Sequence, residues 1–158
     1  MYPPCSSYGA ESNTLGPKKL QRNVKRPPMF SHLFVGTTDF DRAMAFYEPV
    51  LEALGLQPRF CERERPWAGW QKPGEARPLF LIGKPFEGEH QLGNGQMTAF
   101  LADSRAVVDA VYQTALAFGG TSEGAPGLRP EYHANYYGAY FRDTEGNKLC
   151  VACHEAQG

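Results

Sequence analysis

The chain has 158 residues, four cysteines and a formal net charge of −1 at pH 7. This length is enough for one domain with its own hydrophobic core, and a few irregularly spaced cysteines are typical of free thiols in a reducing compartment rather than of a disulfide framework. No segment approaches the roughly 20 apolar residues that cross a bilayer, and the N-terminus lacks an apolar signal core, so we expect a cytoplasmic protein without a membrane partner.

Charge is unevenly distributed along the chain. Residues 1–28 carry five basic side chains and one acidic one, a local balance of +4, which leaves −5 for residues 29–158. A mildly acidic folded part disfavours nucleic acid as a partner. The N-terminal segment is rich in proline, serine and glycine and has almost no aliphatic periodicity, so residues 1–28 are predicted to be a flexible extension before a domain at 29–158.

The apolar pattern from residue 30 onward predicts one strand, one helix and three further strands. Residues 30–37 are predicted to form a strand, and apolar residues three and four apart over 39–54 favour an amphipathic helix. Pro49 lies inside that helix, where a proline removes one hydrogen bond and should bend the helix at a cost of about 3 kcal/mol. The three strands that follow are predicted near 57–64, 67–72 and 78–84.

The same order of elements is repeated after a polar connector at 83–95. At an offset of 65 residues Asp39 aligns with Ser104 and Tyr47 with Tyr112, so two related units are predicted. The two units span about 30–85 and 95–154. The elements of the second unit are a strand at 96–102, a Ser104-capped helix at 104–118, and strands near 121–125, 137–143 and 147–153.

Three motifs make this chain resemble the vicinal oxygen chelate superfamily. They are a histidine on the first strand, Asp-x-x-Arg-Ala-x-x-Phe-Tyr at 39–47 and Asp-x-x-Gly-Asn at 143–147. The superfamily includes glyoxalase I, extradiol dioxygenases, and the bleomycin and fosfomycin resistance proteins. The chain resembles most closely the short, single-chain glyoxalase-like members, through segments 93–95, 104–110, 124–130 and 136–140.

The resemblance implies a fold and a mode of assembly. In such proteins two βαβββ modules form an α+β fold, in which mixed sheets curl into a U-shaped, partly closed cup with the helices outside. A homodimer and a small-molecule ligand inside the cup are also implied.

A divalent metal is the cofactor that the resemblance implies, held by four side chains that are typically two histidines and two glutamates. His32 keeps the first position, the strand 78–82 offers no carboxylate for the second, and Met97 and Cys150 occupy the third and fourth. One neutral imidazole is too weak to hold a catalytic dication against water, and the carboxylate that would act as general base is missing. We therefore expect no resident cofactor, although His32, Met97 and Cys150 leave open a soft metal, Cu(I) or zinc with water.

Cys150 and His32 are the candidate catalytic residues. An imidazole near the thiol could lower its pKa and activate it, whereas an inert buried cysteine is the favoured alternative. The segment 150–154 also matches the C-x-x-C-H pattern of covalent haem attachment. Residues three apart on a strand point to opposite faces, so Cys150 and Cys153 are not expected to hold one ligand.

A cluster of aromatic and basic residues before the penultimate strand lies where family members line the mouth of the cup. Aromatic walls with one cation and several hydroxyls suit a planar or anionic small molecule, and packing under a loop is the alternative. Trp67 and Trp70 lie three positions apart on a predicted strand, so one of them should face the cup. Trp70 is therefore included among the predicted ligand-binding residues. His90, in the connector, is expected to be a solvated surface residue. The predicted ligand-binding residues are Trp70, Arg129, Tyr132, His133, Tyr136 and Tyr137.

Three functions remain open at this point. The first is a glyoxalase-like protein that binds a small organic molecule, a lyase by family at most, with its metal site largely lost. The second is an active metal-dependent isomerase of the lactoylglutathione lyase type, or a dioxygenase, that uses other ligands such as His133 or Glu131. The third is a drug-sequestering resistance protein, because an acidic folded part would attract cationic bleomycin-type drugs.

Overall fold

The structure is a computed structural model that describes residues 28–156, so the predicted extension lies outside the described residues except for its last position. The observed elements confirm the predicted order, strand, helix and three strands, used twice. The elements are β1 (His32–Gly36), α1 (Phe40–Ala53), β2 (Gln57–Glu62), β3 (Trp67–Gln71), β4 (Leu79–Gly83), β5 (Thr98–Leu101), α2 (Arg105–Ala117), β6 (Thr121–Leu128), β7 (Tyr137–Arg142) and β8 (Lys148–Cys153).

Each unit forms its own four-stranded mixed sheet, in the orders β1-β4-β3-β2 and β5-β8-β7-β6. The first and last strands of each unit pair in parallel, and the other neighbours are antiparallel. The described residues therefore form an α+β fold of two sheets and two helices, as predicted, and not a closed barrel. Two boundaries differ from the prediction: β6 continues to Leu128 through two bulges, and β5 begins only at Thr98, so Met97 precedes the strand.

Both helices begin at the predicted polar caps. The Asp39 side chain accepts a hydrogen bond from the backbone N–H of Arg42 at 3.0 Å, and the Ser104 hydroxyl accepts one from Val107 at 3.3 Å. Helix α1 continues through Pro49 to Ala53, and the bend at that residue stays a prediction. Neither helix is long and apolar enough to cross a membrane, within the described part of the chain.

Within residues 28–156, one hydrophobic core joins the two units. The rings of Phe80 on β4 and Phe100 on β5 meet edge to face with centroids 5.0 Å apart, which connects the two sheets. Phe80 also contacts Tyr47 of α1 at 5.3 Å, and Phe46 lies 6.5 Å from Phe141 of the second sheet. Burial of each such side chain contributes roughly 1.5–3 kcal/mol to the free energy of folding. These shared contacts therefore hold the two units together in one arrangement.

Candidate functional site on the outer face of the second sheet

Strand alternation gives the second sheet two faces of different chemistry. On β8, Leu149, Val151 and Cys153 belong to the core, and the residues between them point to the opposite side. The same alternation on β7 buries Ala139 and Phe141 in the core. We call the side away from the core the outer face; it is defined by Tyr140, Arg142, Lys148 and Cys150.

A thiol and two phenols meet at the centre of the outer face. Tyr140 and Cys150 are register partners, the Tyr136 hydroxyl oxygen lies 3.6 Å from the Cys150 sulfur, and the Tyr140 hydroxyl donates to that of Tyr136 at 3.3 Å. Burial raises the pKa of the Cys150 thiol, although hydrogen bonds from both tyrosines partly oppose the shift, and burial raises the pKa of Tyr136 as well. Because thiol and phenols are protonated at neutral pH, the geometry favours an inert cysteine over an activated thiolate.

The loop between β6 and β7 covers this centre and carries four of the six predicted ligand-binding residues. It closes through a 2.8 Å bond from the Arg129 N–H to the Tyr136 carbonyl. The Arg129 guanidinium donates to the carbonyl of Ala125 at 2.8 Å and lies 5.7 Å from the ring centre of Tyr140. Tyr132 packs on Tyr136 with ring centroids 4.9 Å apart. The cation is therefore held over an aromatic surface, as a site for a planar ligand requires.

Two histidines pair at the far end of the outer face. His133 Nε2 lies 2.8 Å from His154 Nδ1, and the Asn135 N–H donates to His133 Nδ1 at 3.2 Å. Since that Nδ1 accepts, the ring hydrogen of His133 is on Nε2 and donates to His154. Cys150 lies on the outer face and Cys153 in the core, so the two thiols of the C-x-x-C-H segment take opposite faces, as predicted.

The near end of the outer face is cationic. Arg142 Nε donates to Glu123 Oε1 at 2.5 Å, Lys148 Nζ lies 3.1 Å from Glu123 Oε2, and Arg142 Nη1 donates to the Gly146 carbonyl at 2.7 Å. Hydrogen bonds from Arg142 and Lys148 lower the pKa of Glu123. Two cations therefore share one ionised carboxylate.

Next to this cationic end lies a cavity of about 370 Å³, between β1, the connector and the turn from β7 to β8. We call it the connector cavity. An adjoining space of about 570 Å³ has Leu92, Met97, Arg142 and Lys148 in common with it. The side chains that give the connector cavity its chemistry are those of Phe34, Phe86, Glu89, His90, Leu92, Met97, Arg142 and Lys148.

The connector side of the cavity carries three large apolar side chains among polar ones. Phe86 is 89% exposed and stacks on Phe34 of β1 with ring centroids 5.4 Å apart, while Leu92 and Met97 are 52% and 46% exposed. Large apolar side chains that converge on one open cavity are a common property of ligand sites. The cavity therefore combines an apolar wall with a cationic one.

His90 is only partly exposed, contrary to the expectation of a solvated residue. Its Nε2 is buried and has no hydrogen-bond partner among residues 28–156, and a Cβ on Gly36 would lie only 2.8 Å from its Nδ1. The glycine on β1 thus gives the imidazole room to pack against the strand. Buried ring nitrogens without a partner are uncommon in native proteins, and this one belongs to a residue that lines the cavity.

Two predicted ligand-binding residues lie away from the outer face. Successive side chains on a strand point to opposite faces, so Tyr137 points away from Tyr136 and toward α2. Its hydroxyl donates to Asp109 Oδ1 at 2.8 Å. Trp70 is 2% exposed and packs in the core near Phe80, so it does not line an open site. The tryptophan that faces away from the core is Trp67, since Trp70 shares the core face of β3 with Ala68.

The candidate metal residues do not form a donor set that fits the metal implied by the fold. His32 is exposed and its Nδ1 lies 3.2 Å from the Ser31 hydroxyl, Met97 is exposed before β5, and the Cys150 sulfur contacts phenols. In the part of the chain that the structure describes, no group of three or more histidine, cysteine, aspartate or glutamate side chains could hold a metal ion. A hard divalent ion needs several such donors, so these residues do not fit one.

Sequence reasoning missed the cationic end and the connector side of the cavity. The cationic pair could have been predicted from the turn at 143–147. A tight hairpin there places Arg142 directly opposite Lys148. Like charges in such a pair repel each other unless an acid joins them, which predicts a nearby carboxylate such as Glu123. Nothing local to Phe86 or His90 indicates that the connector folds over β1.

Comparison with known proteins agrees with the fold. A model of the Glyoxalase/Bleomycin resistance protein/Dioxygenase superfamily matches residues 29–151. The crystal structure of a glyoxalase/bleomycin resistance protein from Albidiferax ferrireducens T118 is 33% identical, with 80% of this chain and 99% of that chain covered and a TM-score of 0.71.

A lactoylglutathione lyase from Agrobacterium tumefaciens is 22% identical, with 80% of this chain and 95% of that chain covered and a TM-score of 0.57, a likeness that shows the fold alone. Among curated proteins none matches.

Proposed function

Because the chain belongs to the Glyoxalase/Bleomycin resistance protein/Dioxygenase superfamily, we propose that it binds a small organic molecule in the connector cavity, beside the outer face of its second sheet. The metal site of the fold is largely lost in this proposal, and binding requires no metal. The observation that carries it is one open cavity of about 370 Å³ where exposed apolar side chains meet a cationic pair.

The size and the walls of the cavity support this function. Small-molecule sites are commonly about 300–1,000 Å³, mostly apolar, with a few convergent polar groups. The ligand would bury its apolar surface against Phe86, Leu92 and Met97. Hydrogen bonds from Arg142 and Lys148 would orient it. Arg129 and the tyrosines of the outer face are not among the residues that line this cavity.

The rival metal-dependent isomerase or dioxygenase has less support. Its chemistry needs a carboxylate or imidazole free to take a proton next to a bound ion. His133, one of the alternative ligands, carries its ring hydrogen on the nitrogen that faces His154. Turnover of methylglyoxal with glutathione after addition of zinc or nickel would contradict the binding proposal.

A homodimer is part of the same proposal. Leu128 and Tyr132 near the outer face and Leu101 on β5 are exposed apolar side chains that a second copy could cover. The proposal also includes a cytoplasmic location, because the free thiols of Cys61 and Cys150 would stay reduced there. Sedimentation at several protein concentrations tests the dimer.

Ligand screening by NMR tests the function. Small organic fragments are added to the full ¹⁵N-labelled chain, and bound fragments should shift amides of the connector cavity. Met97→Trp should fill the cavity and abolish these shifts, whereas Phe118→Trp, at a side chain of similar exposure outside the lining residues, should leave them unchanged. Fragments that shift only the helices, or bind equally to both variants, contradict the proposed site.

A further inference from the structure

The cationic wall of the connector cavity has unused donors. Glu123 takes one N–H of Arg142 and one of Lys148, and the Gly146 carbonyl takes another of Arg142. Arg142 Nη2 and two of the three ammonium hydrogens of Lys148 have no partner among residues 28–156. An incoming carboxylate could accept charge-assisted bonds from both cations without displacing Glu123.

The opposite wall favours an apolar body that carries one negative charge. Phe86 stacks on Phe34 and leaves its other ring face to solvent, and Met97 lies beside the cavity, so a ring can be covered on one side. Glu89 also lines the connector side and opposes a second negative charge at that end.

We infer that the ligand of the connector cavity is a ring-bearing organic monoanion, whose acidic group contacts Arg142 and Lys148 and whose ring packs on Phe86. This inference rests on the proposed function and adds the chemical class of the ligand. A neutral ring compound would leave the two cations with only Glu123, and an acyclic acid would leave the apolar wall exposed to water.

Titration calorimetry with matched probes tests the class. The acids are benzoate, phenylacetate, 3-phenylpropionate and indole-3-acetate, each paired with its primary amide, and acetate serves as the acid without a ring. At least one ring acid should bind about tenfold more tightly than its amide, since hydrogen bonds to a charged group are worth more than neutral ones. Acetate should bind at least about tenfold more weakly than that ring acid, because it buries almost no apolar surface.

The Glu123→Gln variant tests the role of the two cations through the direction in which the affinity for the ring acid changes. Removing this carboxylate frees both cations, so the affinity for the ring acid should rise about threefold while that for the amide stays constant. Glu52→Gln, the same change at an exposed position of α1, should alter neither affinity. A loss of acid affinity in Glu123→Gln would overturn the assignment of Arg142 and Lys148.

Phe86→Ala tests the ring contact. Phe86 is almost fully exposed, so its removal should not affect folding, but it should weaken the ring acid about fivefold. Phe118→Ala should have no effect on binding.

Two further outcomes separate the inference from the proposed function. Amides that bind as tightly as acids, or fragments of other classes that occupy the cavity when no ring acid binds, overturn the ligand class and leave the binding function intact. A cavity that takes no fragment at all removes both.

Discussion

The hydroxyl of Tyr47 on α1 donates a 2.6 Å hydrogen bond to Oδ2 of Asp143, which begins the turn between β7 and β8, 96 positions along the chain. Both side chains are buried. Oδ1 of the same carboxylate accepts from the backbone N–H groups of Glu145 and Asn147 at 2.9 and 2.8 Å. One buried aspartate thus shapes the turn beside the connector cavity and ties it to the other unit.

Tyr47→Phe should lower the free energy of unfolding by about 1–3 kcal/mol, because it removes a hydrogen bond to a buried charged acceptor. Urea unfolding followed by circular dichroism measures the change. Tyr132→Phe, at an exposed phenol, should change stability by less than about 0.5 kcal/mol. Equal stabilities of the two variants would show that the bond between Tyr47 and Asp143 contributes nothing.

The stability of the protein should depend on pH through Glu145. Burial alone would raise the pKa of this carboxyl, but hydrogen bonds from the Thr38 hydroxyl at 2.5 Å, the Asp39 N–H at 3.0 Å and Arg42 at 3.1 Å lower it to about 2. A depressed folded pKa adds stability that is complete above the unfolded value and is lost as pH falls. The loss should therefore extend from about pH 4.5 to about pH 2.

Urea unfolding at a series of pH values detects this loss. Glu145→Gln should be less stable than the natural chain by about 1–2 kcal/mol near neutral pH and should lose less on acidification. Glu155→Gln, at an exposed carboxyl after β8, serves as the control with an unchanged slope. Parallel pH profiles for Glu145→Gln and the natural chain contradict the prediction.

The thiols should differ in reactivity. Cys61 is exposed, whereas Cys150 and Cys153 are buried, and burial raises the pKa of the Cys150 thiol. Iodoacetamide near neutral pH should therefore label Cys61 and spare Cys150 and Cys153 until urea is added, as read by peptide mass mapping. Complete labelling of Cys150 in the folded protein would instead support the activated thiolate.

Phe100→Ala should be one of the most damaging single changes. Its ring lies edge to face on Phe80 at the junction of the two sheets, and truncation of a buried phenylalanine costs about 3–5 kcal/mol. Leu101→Ala, the adjacent residue on the exposed side of β5, should cost far less. Thermal or urea unfolding that ranks the two variants the other way would contradict the assigned faces.

The sequence by itself determined the elements, because their signals are local. Asp39 and Ser104 cap helices through bonds to residues three positions away, and alternation alone separated Cys150 from Cys153. The same local logic placed Arg129 and Tyr136 in one short loop, where the structure finds them together.

Only the tertiary structure decided which faces meet. Periodicity says that Trp67 and Trp70 point to opposite sides. The core side is decided by tertiary packing, in which Trp70 lies near Phe80 and Phe80 contacts Tyr47 of α1. In the same way Phe86, His90 and Lys148 converge on one cavity only because the connector folds over β1 and the last turn. Contacts of this kind join residues tens of positions apart, and their energy comes from shared burial and charge, which no local pattern of residues encodes.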